Sequence, residues 1–194
     1  MSQARRNIGA AAVGDDFYFA GGCTTVGSGK TAFICNDASD VIDVLDPAGN
    51  LLADDQPRRL SQARGWPSAC ATESLAVFAG GGQRGDQPHS RTADVIDAAT
   101  RQVHSQPNAL STGRWGIACA AVGDEVFFAG GKVTISGYQD AYMSKHIDVF
   151  SSKSGGWSVA PYNLSVGRES AVAASFRGSN SSGLIVAGGW GNGP

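Results

Sequence analysis

Several absences narrow the reading before any motif is considered. No apolar run approaches the ~20 residues that a membrane-spanning helix needs, although 42% of the 194 residues are hydrophobic. Basic residues form no dense block. Fifteen Lys and Arg against 17 Asp and Glu leave a formal net charge of -2, so nucleic acid and anionic membrane surfaces are poor partners. The four cysteines, Cys23, Cys35, Cys70 and Cys119, contain no CxxC pair, which argues against a zinc site. Histidine is scarce: only His89, His104 and His146 occur. No amphipathic stretch of about 10–15 residues lies between the apolar segments, which excludes an alternating α/β chain. Arg5-Arg6 followed by Ile8–Val13 imitates a secretory leader, but the same pattern recurs inside the chain at 114–123, where it has no such role. The segment reads as a strand, and a reduced, cytoplasmic protein is expected.

What the chain has in abundance is glycine, 27 residues, and much of it is periodic. Phe19-Ala20-Gly21-Gly22 returns as Phe78-Ala79-Gly80-Gly81, as Phe128-Ala129-Gly130-Gly131 and, varied, as Val186-Ala187-Gly188-Gly189. A period near 50 residues means one supersecondary unit used several times. Each unit opens on a short polar motif ending in arginine: 1–5, 60–64, 110–114 and 164–168, ending at Arg5, Arg64, Arg114 and Arg168. From the arginine to the first glycine of the doublet is 16 residues in three units and 20 in the fourth.

Two strands fit between arginine and doublet. The first is built of small residues (8–13, 67–72, 117–122, 170–175) and the second is bulkier and ends on the doublet. Turn pairs such as Gly14-Asp15 and Gly123-Asp124 join them as hairpins. A variable loop leads to a third strand at 40–46, 94–100 and 146–152, and a weaker fourth holds Leu51-Leu52, Val103 and Trp157. Four antiparallel strands per unit make a propeller blade. The slim first strand suits a crowded axis, and the aromatic second strand suits the wider space between sheets.

At these residues the resemblance becomes specific. The glycine doublets (Gly21, Gly22, Gly80, Gly81, Gly130, Gly131, Gly188, Gly189), the arginine ahead of the first strand and Trp157 resemble the kelch repeat over essentially the whole chain. The tyrosine usual in the family's third strand is replaced by Leu45, Ala99 and Phe150, and its tryptophan survives only at Trp157. The resemblance implies an all-β fold, a kelch-type β-propeller. It is a partial arc of about three and a half four-stranded blades: 1–59, 60–109, 110–163, and the first hairpin of a fourth at 164–194. The chain therefore reads as part of a longer protein, with self-association through open blade edges as an alternative.

Candidate site residues follow from the repeat and the resemblance. In ligand-capturing kelch propellers an arginine at the position of Arg5, Arg64, Arg114 and Arg168 reaches the mouth and binds acidic peptides. The favoured role, not exclusive of the first, is bracing, each arginine held by Asp43, Asp97 or Asp148 of its own unit. By resemblance, the residue just past each doublet faces the mouth: Cys23, Gly82, Lys132 and Trp190. Tyr138 and Tyr142 add aromatic surface, and His146 falls where the family presents a small polar contact. Cys23 and Cys35 flank one loop and are placed to pair if the protein is secreted. Cys70 and Cys119, inside strands, read as small hydrophobes.

Other motifs carry less. Residues 27–31, GSGKT, lack the first glycine of a phosphate loop and the helix after it. Arg84-Gly85-Asp86 is an adhesion triplet in a loop, and Asn163 and Asn180 begin glycosylation sequons. The tyrosine, histidine and cysteine set of galactose-oxidase-like enzymes finds no match, and neither does the acid–histidine spacing of plant specifier proteins. No cofactor, metal or catalytic set is indicated. The expected function is a non-catalytic module presenting inter-strand loops to a protein or peptide. The alternatives are part of a kelch-like enzyme, such as an oxidase or sialic-acid mutarotase, and an extracellular glycan-binding or adhesion array.

Overall fold

The computed structural model describes residues 1–26, 35–52, 58–82, 89–134, 141–179 and 181–191. Among them there are only strands, turns and bends, and no helix is long and apolar enough to cross a membrane. The first sheet holds β1 (Gly9–Val13), β2 (Asp16–Ala20) and, beyond a small hairpin of β3 (Cys23–Val26) and β4 (Cys35–Ala38), β5 (Ile42–Leu45). The second has four strands in order: β6 (Ser68–Ala71), β7 (Leu75–Ala79), β8 (Ala93–Asp97) and β9 (Val103–Gln106). The third pairs β10 (Ala118–Val122), β11 (Glu125–Ala129), β14 (Ile147–Ser151) and β15 (Gly156–Val159), with a side hairpin of β12 (Lys132–Thr134) and β13 (Ala141–Met143). Last come β16 (Arg168–Glu169), the hairpin β17 (Val172–Arg177) and β18 (Ser182–Ala187), and β19 (Trp190–Gly191), which returns to pair with β16. All pairings are antiparallel.

Two details depart from the sequence reading. The first sheet has three strands, not four: Leu51 and Arg59 each make a single bridge, to Leu45 and Val41, and residues 53–57 lie outside the described ones. The segments after two doublets, read as loops, contain the hairpins β3–β4 and β12–β13. The GSGKT stretch, the RGD triplet, Tyr138 and Asn180 lie outside the described residues.

The core consists of layers between successive sheets, and strand alternation builds it. On β7, Phe78 packs back against Tyr18, Ile42 and Val44 of the first sheet. Its neighbour Val77 packs forward with Val126, Phe128 and Phe150 of the third. Phe127, next to Phe128, faces forward again with Leu184 and Val186. The small-residue strands β1, β6, β10 and β17 lie against one another down the stack, as their side-chain sizes permit. Trp157 closes the rim of the second layer. Its ring stands 5.5 Å from Phe128 and 5.3 Å from Phe150, and its indole N–H donates to Gln106 Oε1 at 2.6 Å.

Candidate functional site at the doublet ends of the sheets

The glycine doublet ends the second strand in a left-handed turn, with φ of 70° and 87° at Gly80 and Gly81. Only glycine takes two such angles in succession without strain. The turn carries the chain to the arginine of the next unit. The amides of Gly22, Gly81 and Gly131 donate to the carbonyls of Arg64, Arg114 and Arg168 at 2.9, 2.9 and 2.7 Å. The residue past each doublet then bridges the residue past its own unit's arginine: Arg6 with Cys23, Gly65 with Gly82, Trp115 with Lys132 and Glu169 with Trp190. One residue on, Asn7, Trp66, Gly116 and Ser170 all stand at φ between 53° and 63°. A fixed backbone thus presents a set of variable side chains at one end of every sheet.

The repeated arginines form the underside of this surface. Arg5 pairs with Asp43, Arg64 with Asp94 at 2.7 Å and Arg114 with Asp148 at 2.6 Å. In each pair both side chains are at most 3% exposed. The expected partner in the second unit, Asp97, is replaced by Asp94. β8 pairs Phe78 with Asp94, as β5 pairs Asp43 with Phe19 and β14 pairs Asp148 with Phe128. Asp97 instead caps the next turn, accepting from the Thr100 amide at 2.8 Å, and these local hydrogen bonds hold its carboxyl below the usual range. Burial lowers the Asp43 carboxyl's preference for charge, but hydrogen bonds from Ser2 and the nearby Arg5 outweigh it, so its pKa falls. Arg64 and Arg114 titrate below the ordinary guanidinium range because burial outweighs the opposing aspartate charge. Arg168 is half-buried and donates Nη1 to the Gly188 carbonyl at 2.6 Å.

Above the braces lies an aromatic cluster that the sequence reading did not single out. Trp66 and Trp115 meet with ring centroids 5.4 Å apart. His89 touches Trp115 edge-on at 6.2 Å, and Lys132 Nζ sits 5.8 Å from the Trp115 ring centre. The signal was present: both tryptophans follow the repeat arginine within two residues. Glu169 is close by, and burial raises its carboxyl against the pull of Lys132. Trp190, 75% exposed, and Tyr142, 43% exposed, extend the surface. His146 is exposed and belongs to the entry turn of β14, where its amide donates to Ser144 Oγ at 3.0 Å. Lys132 joins the tryptophans, while Tyr142 and His146 have no ring contact with them among the described residues.

Cys23 is not available at this surface. It is buried in a disulfide with Cys35, Cα–Cα 5.4 Å, packed on Gly65 so closely that a Cβ there would meet the Cys23 sulfur. Cys70 and Cys119 correct the sequence reading more sharply. They form a second disulfide, Cα–Cα 6.1 Å, that ties β6 to β10 across the layer between sheets. Among the described residues no group of three or more His, Cys, Asp or Glu is placed to hold a metal ion. No family model and no curated protein matches this sequence.

Proposed function

We propose that the chain is an arc of a kelch-type β-propeller and serves as a binding module for a protein or peptide, contacted through the doublet ends of its sheets. Support for the propeller comes from successive sheets with their slim strands adjacent, joined three times by the same doublet-to-arginine hydrogen bond. The binding reading rests on one observation. At the bridged positions and the residue after them the backbone repeats while the side chains differ in every unit, and Trp66, Trp115 and Lys132 converge there. Tryptophans on a rigid frame are the usual anchors of interfaces, and Lys132 suits an acidic or aromatic partner group. The arginines act as braces in this reading, not as the peptide contacts that the resemblance implies. A second copy is a further partner, through the exposed outer face of the last hairpin, where Val172, Phe176 and Ile185 are 69%, 45% and 58% exposed. Two disulfides favour an oxidising compartment over the cytoplasm expected from the sequence.

Selection from a displayed peptide library tests the reading, followed by affinity measurements on Trp66→Gly and Lys132→Glu. Gly116 holds the same left-handed position one unit on, so Trp66→Gly should leave stability intact. It should weaken selected peptides by about tenfold or more, the loss expected of an aromatic anchor. Peptides that bind both variants as tightly as the original chain would place the binding surface elsewhere, and a library that yields no binders would count against the module.

A further inference from the structure

The second unit carries a cavity of about 480 Å³, lined among others by Gln62, Arg64, His89, Ser90, Arg91 and Asn108. It lies beside the aromatic cluster and shares His89 with it. Its volume falls in the range of small-molecule sites, and no carboxylate is among its described lining residues.

The state of Arg64 sets this cavity apart. In the third unit the same brace is complete: Arg114 donates Nε to the Gly130 carbonyl at 2.6 Å, Nη1 to Ser111 Oγ and the Thr112 carbonyl at 3.5 and 3.4 Å, and Nη2 to the Phe128 carbonyl at 3.1 Å as well as to Asp148. Arg64 uses only Nη2, to the Phe78 carbonyl at 3.1 Å and to Asp94 at 2.7 Å. Its Nε and Nη1 are buried and have no partner among the described residues. Among the three braces Arg114 leaves no donor nitrogen idle and Arg5 leaves only Nε, so Arg64, with two, is the least satisfied. A buried charged donor left unpaired is costly, which points to a partner supplied from outside the chain. His89 is in the same condition. Its Nε2 lies 3.0 Å from Thr134 Oγ1 and its ring is held edge-on to Trp115, while Nδ1 is buried without a partner. Arg91 adds a second guanidinium, positioned by its Nε–H donating to the Leu110 carbonyl at 2.8 Å. Ser90 and Gln62 are already ordered by a 2.8 Å hydrogen bond to each other.

We propose that this cavity binds a small organic carboxylate, whose oxygens accept from the N–H groups that Arg64 leaves unpaired and whose charge is balanced by Arg91. The site adjoins the peptide-binding surface proposed above and shares His89 with its aromatic cluster, but its anion contacts, Arg64 and Arg91, are not among the anchors of that surface. Asp94 already meets the Arg64 charge, so Arg91, with no acid among the described lining residues, supplies the positive charge that selects an anion, and the planar fork of arginine suits the carboxylate group.

Calorimetric titration of the folded chain with citrate, glucuronate, phosphate and sulfate, at constant ionic strength set with chloride, tests the proposal. Arg64 supports the fold, so the diagnostic variant is Arg91→Gln, which leaves the Arg64–Asp94 pair in place. Citrate or glucuronate should bind saturably, and Arg91→Gln should weaken that binding by about tenfold, the loss expected when one charge-assisted hydrogen bond is removed. In ¹⁵N spectra the His89 ring should shift with the same titration midpoint. Saturable binding by phosphate or sulfate but not by the carboxylates overturns the assignment of ligand. Absence of saturation for all four, or binding unchanged in Arg91→Gln, overturns the site.

Discussion

Gly81 donates its amide to the carbonyl of Arg114 at 2.9 Å, as Gly22 and Gly131 do to Arg64 and Arg168, so the first three doublets are joints between units as well as turns. The same carbonyl stands 2.5 Å from where a Cβ on Gly80 would lie. Gly188 holds the same left-handed angle, φ 71° against 70°, with nothing within 4 Å of a Cβ. The pair separates two costs of a side chain. Gly188→Ala should lose about 1 kcal/mol from backbone strain alone, and Gly80→Ala about 3 kcal/mol or more, because strain and collision add. Urea midpoints of the two variants check this, and equal losses would mean that the joint carries no steric constraint.

The pairing of Arg64 with Asp94 makes a second discrimination. Asp94→Asn leaves a buried guanidinium without its counter-charge and should cost about 3–5 kcal/mol. Asp97→Asn touches only an exposed turn and should change stability far less. Denaturant unfolding of both variants reads the difference directly. A larger loss in Asp97→Asn would restore the pairing that simple alignment suggests.

That alignment shows what the string of residues conceals. Hairpins, doublets and slim first strands were legible because they are local: arginine and doublet keep a spacing of 16 in three units, and alternation marks the strands. The braces were legible in kind but not in register. The segments 40–46 and 94–100 both begin Asp-Val-Ile-Asp, so matching the strings equates Asp43 with Asp97. The strand pairing equates Asp43 with Asp94. Spacing offers no arbitration, because the loop varies: from doublet to brace is 22 residues in the first unit, 14 in the second and 18 in the third. Cys70 and Cys119 were missed for a related reason. Cys119 pairs with Phe128, but in the second unit the residue opposite Phe78 is Ala69, and Cys70 is one further on. A one-residue offset in a strand reverses the face, so the two sulfurs look at each other across the layer. Trp66 and Trp115, in adjacent units, meet only because consecutive units stack, which single-unit reading does not reveal.

The disulfides should therefore differ in weight. Cys70–Cys119 closes a span of 49 residues and joins two sheets, whereas Cys23–Cys35 closes 12 within one unit and its packing on the next. On loop-closure entropy the first contributes about 4 kcal/mol and the second about 3 kcal/mol. Cys70→Ala with Cys119→Ala should lower the urea midpoint more than Cys23→Ala with Cys35→Ala. Peptide mapping without reductant should recover the 70–119 crosslink in chain purified from an oxidising host. Its absence there, with both thiols alkylatable in the folded state, would overturn the cross-sheet tie.

His89 gives the chain a pH dependence of known sign. In an unfolded chain the ring takes up a proton near 6.5. In the fold, burial and then the nearby Lys132 charge lower its pKa to about 4. Between those values the unfolded state binds more protons, so stability is full above about pH 6.5 and falls as the pH drops toward 4. The loss approaches about 3 kcal/mol, an order-of-magnitude figure set by the size of the shift. Carboxylates titrate at the acid end of the same window, so the comparison that isolates the ring is His89→Gln. The variant should start lower, because it disturbs the contacts to Thr134 and Trp115, but its stability should decline less between pH 7.5 and 4.5. Urea midpoints at the two pH values, measured on both proteins, give the slopes. Identical slopes would show that the imidazole is as free to accept a proton in the fold as outside it.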